Sequence, residues 1–356
     1  MISYRVIGIM SGTSLDGLDL AFCVFTKKGN SWKYEIKKAE TISYSTEWEK
    51  RLKGLPEASA QEFAQTNADY GHFIGHEVNA FINKHKFEVD FISSHGHTIF
   101  HQPELRFTSQ IGDGASISAE TGLDVVCDFR SLDIALGGQG APLVPIGDQM
   151  LFSEFDYRLN LGGFANISFE ESGKTRAFDI APANIALNYF ANKLGLNFDT
   201  SGKLASTGKL IEELFEKLNA LPFYQIRGSK SLGREWLETQ FLPLIDSSYS
   251  IPDILNTLVH HLTYQISVVL NQSSIKNRNQ KLLITGGGAY NSFLIDQLKE
   301  KTNNEILIPS DELIQFKEAL IFAFLGVLRF ENQFNTLKEV TGAKENSIGG
   351  AIYKCN

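Results

Sequence analysis

The sequence runs through the same succession of elements twice, and this repeat limits the fold more than any other feature. Near the N-terminus a β-branched run over 4–9 leads into a turn rich in glycine and hydroxyl residues at 12–17, and an apolar run over 18–25 follows. Tyr157 begins a second strand, turn, strand pattern in which the turn is Gly162-Gly163. In both halves a third β-rich piece precedes the first long helix. Because 356 residues can bury two cores, the repeat predicts an α/β protein of two similar domains.

Hydrophobic spacing and turn residues predict the individual elements. Apolar residues recur at helical spacing over 60–85, which predicts a long helix there. In the second half a helix is expected from about Pro182. The most glycine-dense stretch, 136–142, predicts a hinge or domain junction near 128–145. We therefore expect an N-terminal domain over 1–128 and a C-terminal domain over 129–356, and leave open that the last ~15 residues pack back on the first domain.

Composition excludes several classes of protein. Lys and Arg total 33 against 41 Asp and Glu, a formal net charge of -8, which is the wrong sign for a nucleic-acid-binding surface. The first residues lack the apolar core of a signal peptide, and no stretch approaches the roughly 20 apolar residues of a membrane helix. Three widely spaced cysteines fit neither a disulfide framework nor a CxxC zinc site. We expect a cytoplasmic protein whose partners are small molecules, not nucleic acid or membrane.

Three glycine-rich turns follow strands and are candidates for anion binding. The turn at 12–17 offers backbone N–H groups and hydroxyls that can wrap a phosphate, and Asp16 could hold a divalent cation through water. A plain hairpin turn uses the same residue types, but the equivalent placement of Gly162-Gly163 favours two hairpins that grip the phosphates of one nucleotide. The triplet 286–288 stands between an apolar strand and a helix, where a tight β-to-α turn is the alternative. None of these turns has GxGxxG or GxxxxGK[ST] spacing.

Several polar side chains could carry chemistry. Asp179 ends a strand ahead of Pro182, so it is either a general base or a cap of the following helix. Three histidines fall within 95–101, but without a cysteine or acidic partner at ligand spacing they make a weak zinc motif. Arg130 either grips a carboxylate or phosphate bidentately or forms a surface ion pair.

These motifs occur in a fixed order that covers essentially the whole chain. The two longest blocks, which are the most specific, are GIMSGTSLDG at 8–17 and GGQGAPLVP at 137–145. Shorter blocks are SHG at 94–96, DFR at 128–130, NLGG at 160–163, KSLGR at 230–234, TGGGA at 285–289 and GGAIY at 349–353. In this combination the sequence resembles the anhydro-N-acetylmuramic acid kinases, a family of the sugar kinase, Hsp70 and actin superfamily.

The resemblance implies an actin-like ATPase (ribonuclease H-like) fold, with duplicated β-sheet/helix domains and an interdomain cleft that holds nucleotide and sugar. It implies ATP and Mg²⁺ as cofactors, the metal being held mainly by the phosphates, and it places the nucleotide and the catalytic base in the C-terminal domain. The implied reaction converts 1,6-anhydro-N-acetylmuramate, ATP and water to N-acetylmuramate 6-phosphate and ADP, in peptidoglycan recycling.

The family's functional positions carry over residue by residue, and Asp179 takes the place of the catalytic base. The nucleotide-binding positions are Gly12, Thr13, Ser14, Leu15, Asp16, Gly17, Leu18, Asp19, Gly162, Gly163, Gly286, Gly287 and Gly288. The substrate-binding positions are Ser94, His95, Arg130, Asn166, Asn184 and Glu318.

Two departures from the family pattern stand near these positions. The family usually has Thr-Gly-Pro-Gly-Asn after its catalytic Asp, whereas this chain has Ile-Ala-Pro-Ala-Asn at 180–184, and Ala adopts positive φ less readily than Gly. His97 stands where the family commonly has Gln. These changes leave open a kinase for a different sugar; a nucleotide-binding clamp without catalysis is a third alternative, and a homodimer is also left open.

Overall fold

The computed structural model describes residues 2–12, 15–29, 31–226, 228, 230–272 and 280–355. Contacts divide the chain into two units: Met1–Leu151 together with Phe316–Asn356, and Phe152–Gln315. This division differs from the expected boundary at residue 128, because 129–151 and the C-terminal part of the chain pack with the first unit.

The glycine-rich stretch belongs to the first unit because it wraps a buried carboxylate there. Asp133 is 1% exposed, and its oxygens accept hydrogen bonds from the Gly140 N–H at 2.7 Å and from the Thr341 hydroxyl at 2.7 Å. Buried carboxylates satisfied in this way hold distant segments together. The stretch expected to be a hinge or junction is therefore packed structure inside one unit.

The elements alternate between strands and helices along the chain. The strands are β1 (Ile2–Ser11), β2 (Leu18–Lys28), β3 (Ser31–Ile42), β4 (Phe91–Gln102), β5 (Phe107–Ile111), β6 (Val125–Cys127), β7 (Tyr157–Leu161), β8 (Phe164–Glu171), β9 (Lys174–Pro182), β10 (Lys281–Thr285), β11 (Glu305–Leu307) and β12 (Ala351–Tyr353). The helices are α1 (Thr46–Gly54), α2 (Ala60–His85), α3 (Gly114–Thr121), α4 (Ser131–Ala135), α5 (Val144–Leu151), α6 (Asn184–Asn192), α7 (Lys203–Thr207), α8 (Glu212–Asn219), α9 (Arg234–Trp236), α10 (Ile251–Gln272), α11 (Ser292–Lys301), α12 (Asp311–Phe330) and α13 (Lys338–Thr341).

The sheet of the first unit has the strand order β12-β6-β4-β1-β2-β3, with β5 on β4. The first three strands are antiparallel neighbours, and β1, β4 and β6 run parallel. The C-terminal strand β12 pairs antiparallel with β6. The C-terminal strand β12 therefore forms one edge of the sheet of the first unit.

The sheet of the second unit repeats this plan with the order β11-β10-β7-β8-β9. Its first three strands are again antiparallel, and β7, β10 and β11 run parallel. Order and directions match those of β6-β4-β1-β2-β3. The predicted fold class, an α/β protein of two duplicated actin-like (ribonuclease H-like) domains, is thereby confirmed.

Each sheet has its own core. In the first unit α2 buries its apolar stripe, which includes Tyr70, Ile74 and Val78, against the sheet. Its bounds match the predicted helix, and Ser59 caps its N-terminus by accepting from the Glu62 N–H. In the second unit α10 is buried along most of its length. No helix in the described part of the chain has the length and apolar character that crossing a membrane requires.

One expected boundary in the second unit shifts. The helix predicted from about Pro182 begins at Asn184, because β9 continues to Pro182, which pairs with Phe164 of β8. The N–H of Asn184 then donates to the carbonyl of Gly162 at 3.1 Å, and the N–H of Ile185 to that of Gly163 at 3.1 Å. The hairpin turn between β7 and β8 therefore supplies acceptors for the first turn of α6.

Candidate active site

The described part of the β1–β2 turn and the start of β2 pack their leucine side chains into the core. The turn contains a hydrogen bond from the Leu15 N–H to the Gly12 carbonyl at 3.2 Å, while Thr13 and Ser14 lie outside the described residues. Leu15 packs against the core and Leu18 is wholly buried in it. Of the predicted nucleotide-binding positions at 15–18, the two leucines can therefore offer only their backbone to a ligand.

Two carboxylates flank this turn. Asp16 is exposed, whereas Asp19 is half-buried on β2 and accepts from the Thr41 hydroxyl at 2.5 Å. Burial raises the pKa of Asp19, the Thr41 hydrogen bond lowers it, and the charge of Asp16 raises it again. The turn thus has oxygen ligands of the kind that Mg²⁺ prefers, although no group of three or more His, Cys, Asp or Glu in the described residues forms a metal site of its own.

Arg130 is held by His95 in a fixed orientation. The His95 Nδ1 lies 2.9 Å from the Gly96 carbonyl, which can only accept, so Nδ1 carries the proton. The His95 Nε2 accepts from Arg130 Nε at 3.0 Å and Nη2 at 2.9 Å, and Arg130 Nη1 donates to the Gly140 carbonyl at 2.7 Å. Both ring nitrogens of His95 are occupied within the protein, so its ring positions Arg130 where substrate contact was expected.

The other predicted substrate-binding residues of the first unit differ in access. Ser94 is wholly buried, and its Oγ accepts from the Gly96 N–H at 3.2 Å. Glu318 of α12 is exposed at its surface, but desolvation by the surrounding protein raises its pKa. The charges of Arg130 and Lys317 lower the same pKa. Burial lowers the pKa of Arg130 to about 10, and Glu318 opposes that shift. Arg130 and Glu318 are thus electrostatic neighbours, whereas Ser94 supports the strand.

Buried neutral histidines should make the protein acid-sensitive. Burial lowers the pKa of His97 to about 4 and that of His261 to about 3, and it lowers that of His95 well below 6.5. Below pH 6.5 these histidines take up protons in the unfolded chain but stay neutral in the folded protein. The free energy of unfolding therefore falls as pH falls, by about 1.4 kcal/mol per pH unit for each group. The raised pKa values of Asp19 and Asp179 offset part of this loss at lower pH.

Urea unfolding between pH 7 and pH 5 measures this effect. His97→Asn should reduce the pH slope by about one proton, and His76→Gln, at an exposed position of α2, is the matched control. Equal stability at pH 7 and pH 5 would contradict the assignment of neutral buried histidines.

In the second unit Asp179 lies near the end of β9 and is held from one side. Its Oδ2 accepts from the Leu232 N–H at 2.8 Å, and its backbone N–H donates to the Lys230 carbonyl at 2.9 Å. Asn166 of β8 stands opposite it in the ladder. Burial raises the pKa of Asp179, and the Leu232 hydrogen bond lowers it. This half-buried carboxylate keeps lone pairs for a second donor, as a general base requires.

The turn after β10 forms one wall of a cavity. Gly286 has φ 81°, and a Cβ there would lie 2.5 Å from the Asn160 side chain, so only glycine fits. Asn184 donates to the Leu161 carbonyl at 2.9 Å and, with Gly287, lines a cavity of about 290 Å³. The cavity thus brings together the predicted nucleotide turn and Asn184, which was predicted to bind sugar.

Sequence reasoning missed two aromatic residues at this cavity. Phe198 and Tyr290 line it, and they are 57% and 43% exposed. Large aromatic side chains left open to solvent beside a glycine turn are typical of a surface on which a flat ligand stacks. The sequence signal was Tyr290 two residues after the glycine triplet; nothing marked Phe198.

The family model and the sequence relatives point to one family. The family model for anhydro-N-acetylmuramic acid kinase matches residues 4–355. An anhydro-N-acetylmuramic acid kinase from Sulfurovum sp. (strain NBC37-1) is 34% identical over 365 residues, covering 98% of this chain and 99% of the relative. One from Coxiella burnetii (strain RSA 493 / Nine Mile phase I) is 36% identical over 373 residues, covering 98% and 97%.

Solved structures match at low identity. Component A of (R)-2-hydroxyglutaryl-CoA dehydratase from Acidaminococcus fermentans is 13% identical with a TM-score of 0.45, covering 91% of this chain and 96% of that one. A ROK family glucokinase from Streptomyces griseus, solved with glucose and AMPPNP, is 12% identical with a TM-score of 0.42, covering 90% and 98%.

Proposed function

The chain belongs to the anhydro-N-acetylmuramic acid kinase family, and we propose that it converts 1,6-anhydro-N-acetylmuramate, ATP and water to N-acetylmuramate 6-phosphate and ADP. The water oxygen bonds to the anomeric carbon, and the bond from that carbon to the 6-oxygen breaks. The freed 6-oxygen bonds to the γ-phosphorus, and the β–γ bridging bond breaks to leave ADP. One proton of the water passes to a base. This chemistry serves peptidoglycan recycling.

The proposal rests on Asp179 as the base that takes the proton from water. Its pKa is raised by burial, so proton uptake from water is easier than for an exposed aspartate. The Leu232 N–H fixes one carboxylate oxygen at 2.8 Å and leaves the other for water. A raised pKa with a named cause, on a positioned carboxylate, is typical of catalytic bases.

The departure at 180–184 is compatible with the family's substrate. Ala181 pairs with Ala165 after a shift in register, and Ala183 has φ -118°, so neither position requires the positive φ that favours glycine. Ile180 is 1% exposed in the core. Asn166 pairs with Asp179 and Ala165 with Ala181. Ile180 is therefore the extra residue of a β-bulge directly after Asp179, and it packs in the apolar core of the second unit.

The nucleotide and metal are assigned to the glycine turns. Backbone N–H groups of the turn at 12–17 and of Gly162-Gly163 are assigned to phosphate oxygens, and Mg²⁺, held mainly by the phosphates with Asp16 through water, would neutralise their charge. Phe198 and Tyr290, which line the cavity, would stack on the adenine ring. We reassign Asn184 to the nucleotide, since it lines that cavity.

The sugar is assigned to Arg130 and Glu318. Arg130 has five N–H donors, and three contacts to His95 and Gly140 orient the guanidinium. The other donors suit the carboxylate of the muramic acid side chain, and Glu318 suits a hydroxyl. In the second unit Asn166, opposite Asp179 in the β8–β9 ladder, is likewise assigned to the sugar. The cytoplasmic location and a homodimer stay predictions.

Incubation with ATP, Mg²⁺ and 1,6-anhydro-N-acetylmuramate tests the proposal. We expect a phosphosugar and ADP in equal amounts. A folded protein that forms neither would overturn it. Phosphorylation of another sugar from a substrate panel would identify a different kinase, and nucleotide binding without sugar-stimulated ADP release would identify a non-catalytic clamp.

A further inference from the structure

A β-bulge in β4 shifts the register beside the β1–β2 turn. Ile9 pairs with Ser94, but Ser11 pairs with His97, so β4 carries one residue more than β1 over this interval. Gly96, with φ 73°, lies inside the bulge. The extra residue reverses the alternation of side chains between the two faces of the sheet.

The bulge sends two histidines, two positions apart, to different surroundings. The His95 ring lies 4.4 Å from the Phe322 ring of α12. The His97 ring lies edge-on to the Tyr70 ring of α2, with centroids 6.4 Å apart. His95 therefore serves Arg130, and His97 is left for a separate task.

That task is visible in a buried chain of hydrogen bonds that starts at the end of β1. Ser11 is 1% exposed, and its Oγ lies 2.7 Å from His97 Nδ1 and 2.6 Å from the Tyr44 hydroxyl. The Tyr44 hydroxyl lies 2.5 Å from that of Tyr70. Four polar groups from β1, β4, α2 and the segment after β3 thus meet inside an apolar core.

The protons of this chain have a consistent arrangement. If Tyr70 donates to Tyr44, Tyr44 to Ser11 and Ser11 to His97 Nδ1, every hydroxyl proton finds an acceptor. The arrangement needs a neutral imidazole, and burial keeps the pKa of His97 at about 4. Burial also raises the pKa of Tyr44, so its hydroxyl stays protonated.

The same groups hold the β1–β2 turn at both ends. Ser11 directly precedes Gly12, the first residue of the turn. At the other end Leu18 pairs with Ile42 of β3, and Tyr44 follows two residues later. Ser11 also pairs in the sheet with Leu18 of β2 and His97 of β4, so loss of the buried side-chain hydrogen bonds would loosen the Ser11 end of the turn without unpairing it.

We propose that His97 and Tyr44 are positioning residues for ATP: through Ser11 they fix the start of the 12–17 turn, and neither side chain contacts the nucleotide. The inference rests on the proposed function only in that this turn binds phosphate. It gives a role to the position where the chain departs from its family's usual Gln.

The test compares variants that remove the hydrogen bond with one that keeps it. His97→Leu and Tyr44→Phe should raise the Kd and the KM for Mg·ATP roughly fivefold to thirtyfold, the effect of one lost buried hydrogen bond. The KM for the sugar should change by less than about twofold. His97→Asn should keep the ATP affinity within about threefold of wild type. The amide oxygen of Asn takes the place of the His97 Nδ1 and can accept the same hydrogen bond from Ser11.

The controls use the same residue types at exposed positions. His101→Leu lies on the same strand, and Tyr264→Phe lies on α10 of the second unit; both should bind ATP as wild type does. ATP binding by calorimetry is measured without turnover, and thermal unfolding is recorded for every variant.

The outcomes separate this inference from the proposed function. Wild-type ATP affinity in folded His97→Leu overturns the inference. Equal losses of ATP affinity and of melting temperature in His97→Leu and His97→Asn also overturn it, since a purely structural role gives that result. A wild-type protein that binds ATP but forms no phosphosugar contradicts the proposed substrate, and the binding measurements still decide the role of His97.

Discussion

Replacement of Asp179 by Asn is expected to lower kcat roughly 100- to 10,000-fold, the range in which a general base contributes. The amide has the shape of the carboxylate, and its oxygen can accept the Leu232 N–H that Asp179 Oδ2 accepts now. The segment around Leu232 therefore stays in place, but no group remains to take the proton from water. Initial rates of phosphosugar formation measure the loss, and the Kd for ATP should change by less than about threefold.

Two comparisons make this result specific. Asp296→Asn is the matched control, because Asp296 is an exposed carboxylate of the same unit that pairs only with Lys299 at 3.1 Å in the described structure; it should retain full activity. In the wild type, the raised pKa of Asp179 predicts that activity is lost as pH falls, beginning above the ordinary pKa of an aspartate. Wild-type turnover in Asp179→Asn would remove Asp179 from the mechanism.

The fold was predictable because its signal is local and occurs twice. Strand, turn and strand patterns at 4–25 and from Tyr157 gave the duplicated topology, and helical spacing gave the bounds of α2. The unit boundary was not predictable in the same way. It depends on contacts such as Thr341 with Asp133, which are 208 residues apart, and no local pattern encodes so distant a partner.

Parts of the candidate site were predictable from the sequence and other parts were not, for the same reason. Glycine turns and Asp179 were recognisable because each is a short motif after a strand. The roles of His95 and His97 were not, because they depend on a bulge that sends one ring to Phe322 and the other to Tyr70. In an unbroken strand both would share a face. The sequence thus identified the candidate residues, but it did not identify the partner that each residue contacts.

Replacement of Lys317 by Met is expected to destabilise the first unit by about 3–5 kcal/mol. Lys317 of α12 pairs with Asp148 of α5 at 2.7 Å, and the two side chains are 7% and 5% exposed. Removal of one charge leaves the other buried without its counter-ion, which costs far more than a surface pair contributes. Urea unfolding followed by Trp32 and Trp48, in a background where Trp236 is replaced by Phe, reports on this unit.

Matched variants separate burial from charge. Lys299→Met breaks an exposed pair with Asp296 and should cost no more than about 1 kcal/mol. Lys317→Met combined with Asp148→Leu should recover much of the loss, because apolar residues can replace both buried charges. If Lys317→Met lowers the free energy of unfolding no more than Lys299→Met does, the buried ion pair does not hold α12 to α5. Glu318 follows Lys317 directly, so a loosened α12 should also raise the KM for the sugar and leave the Kd for ATP less affected.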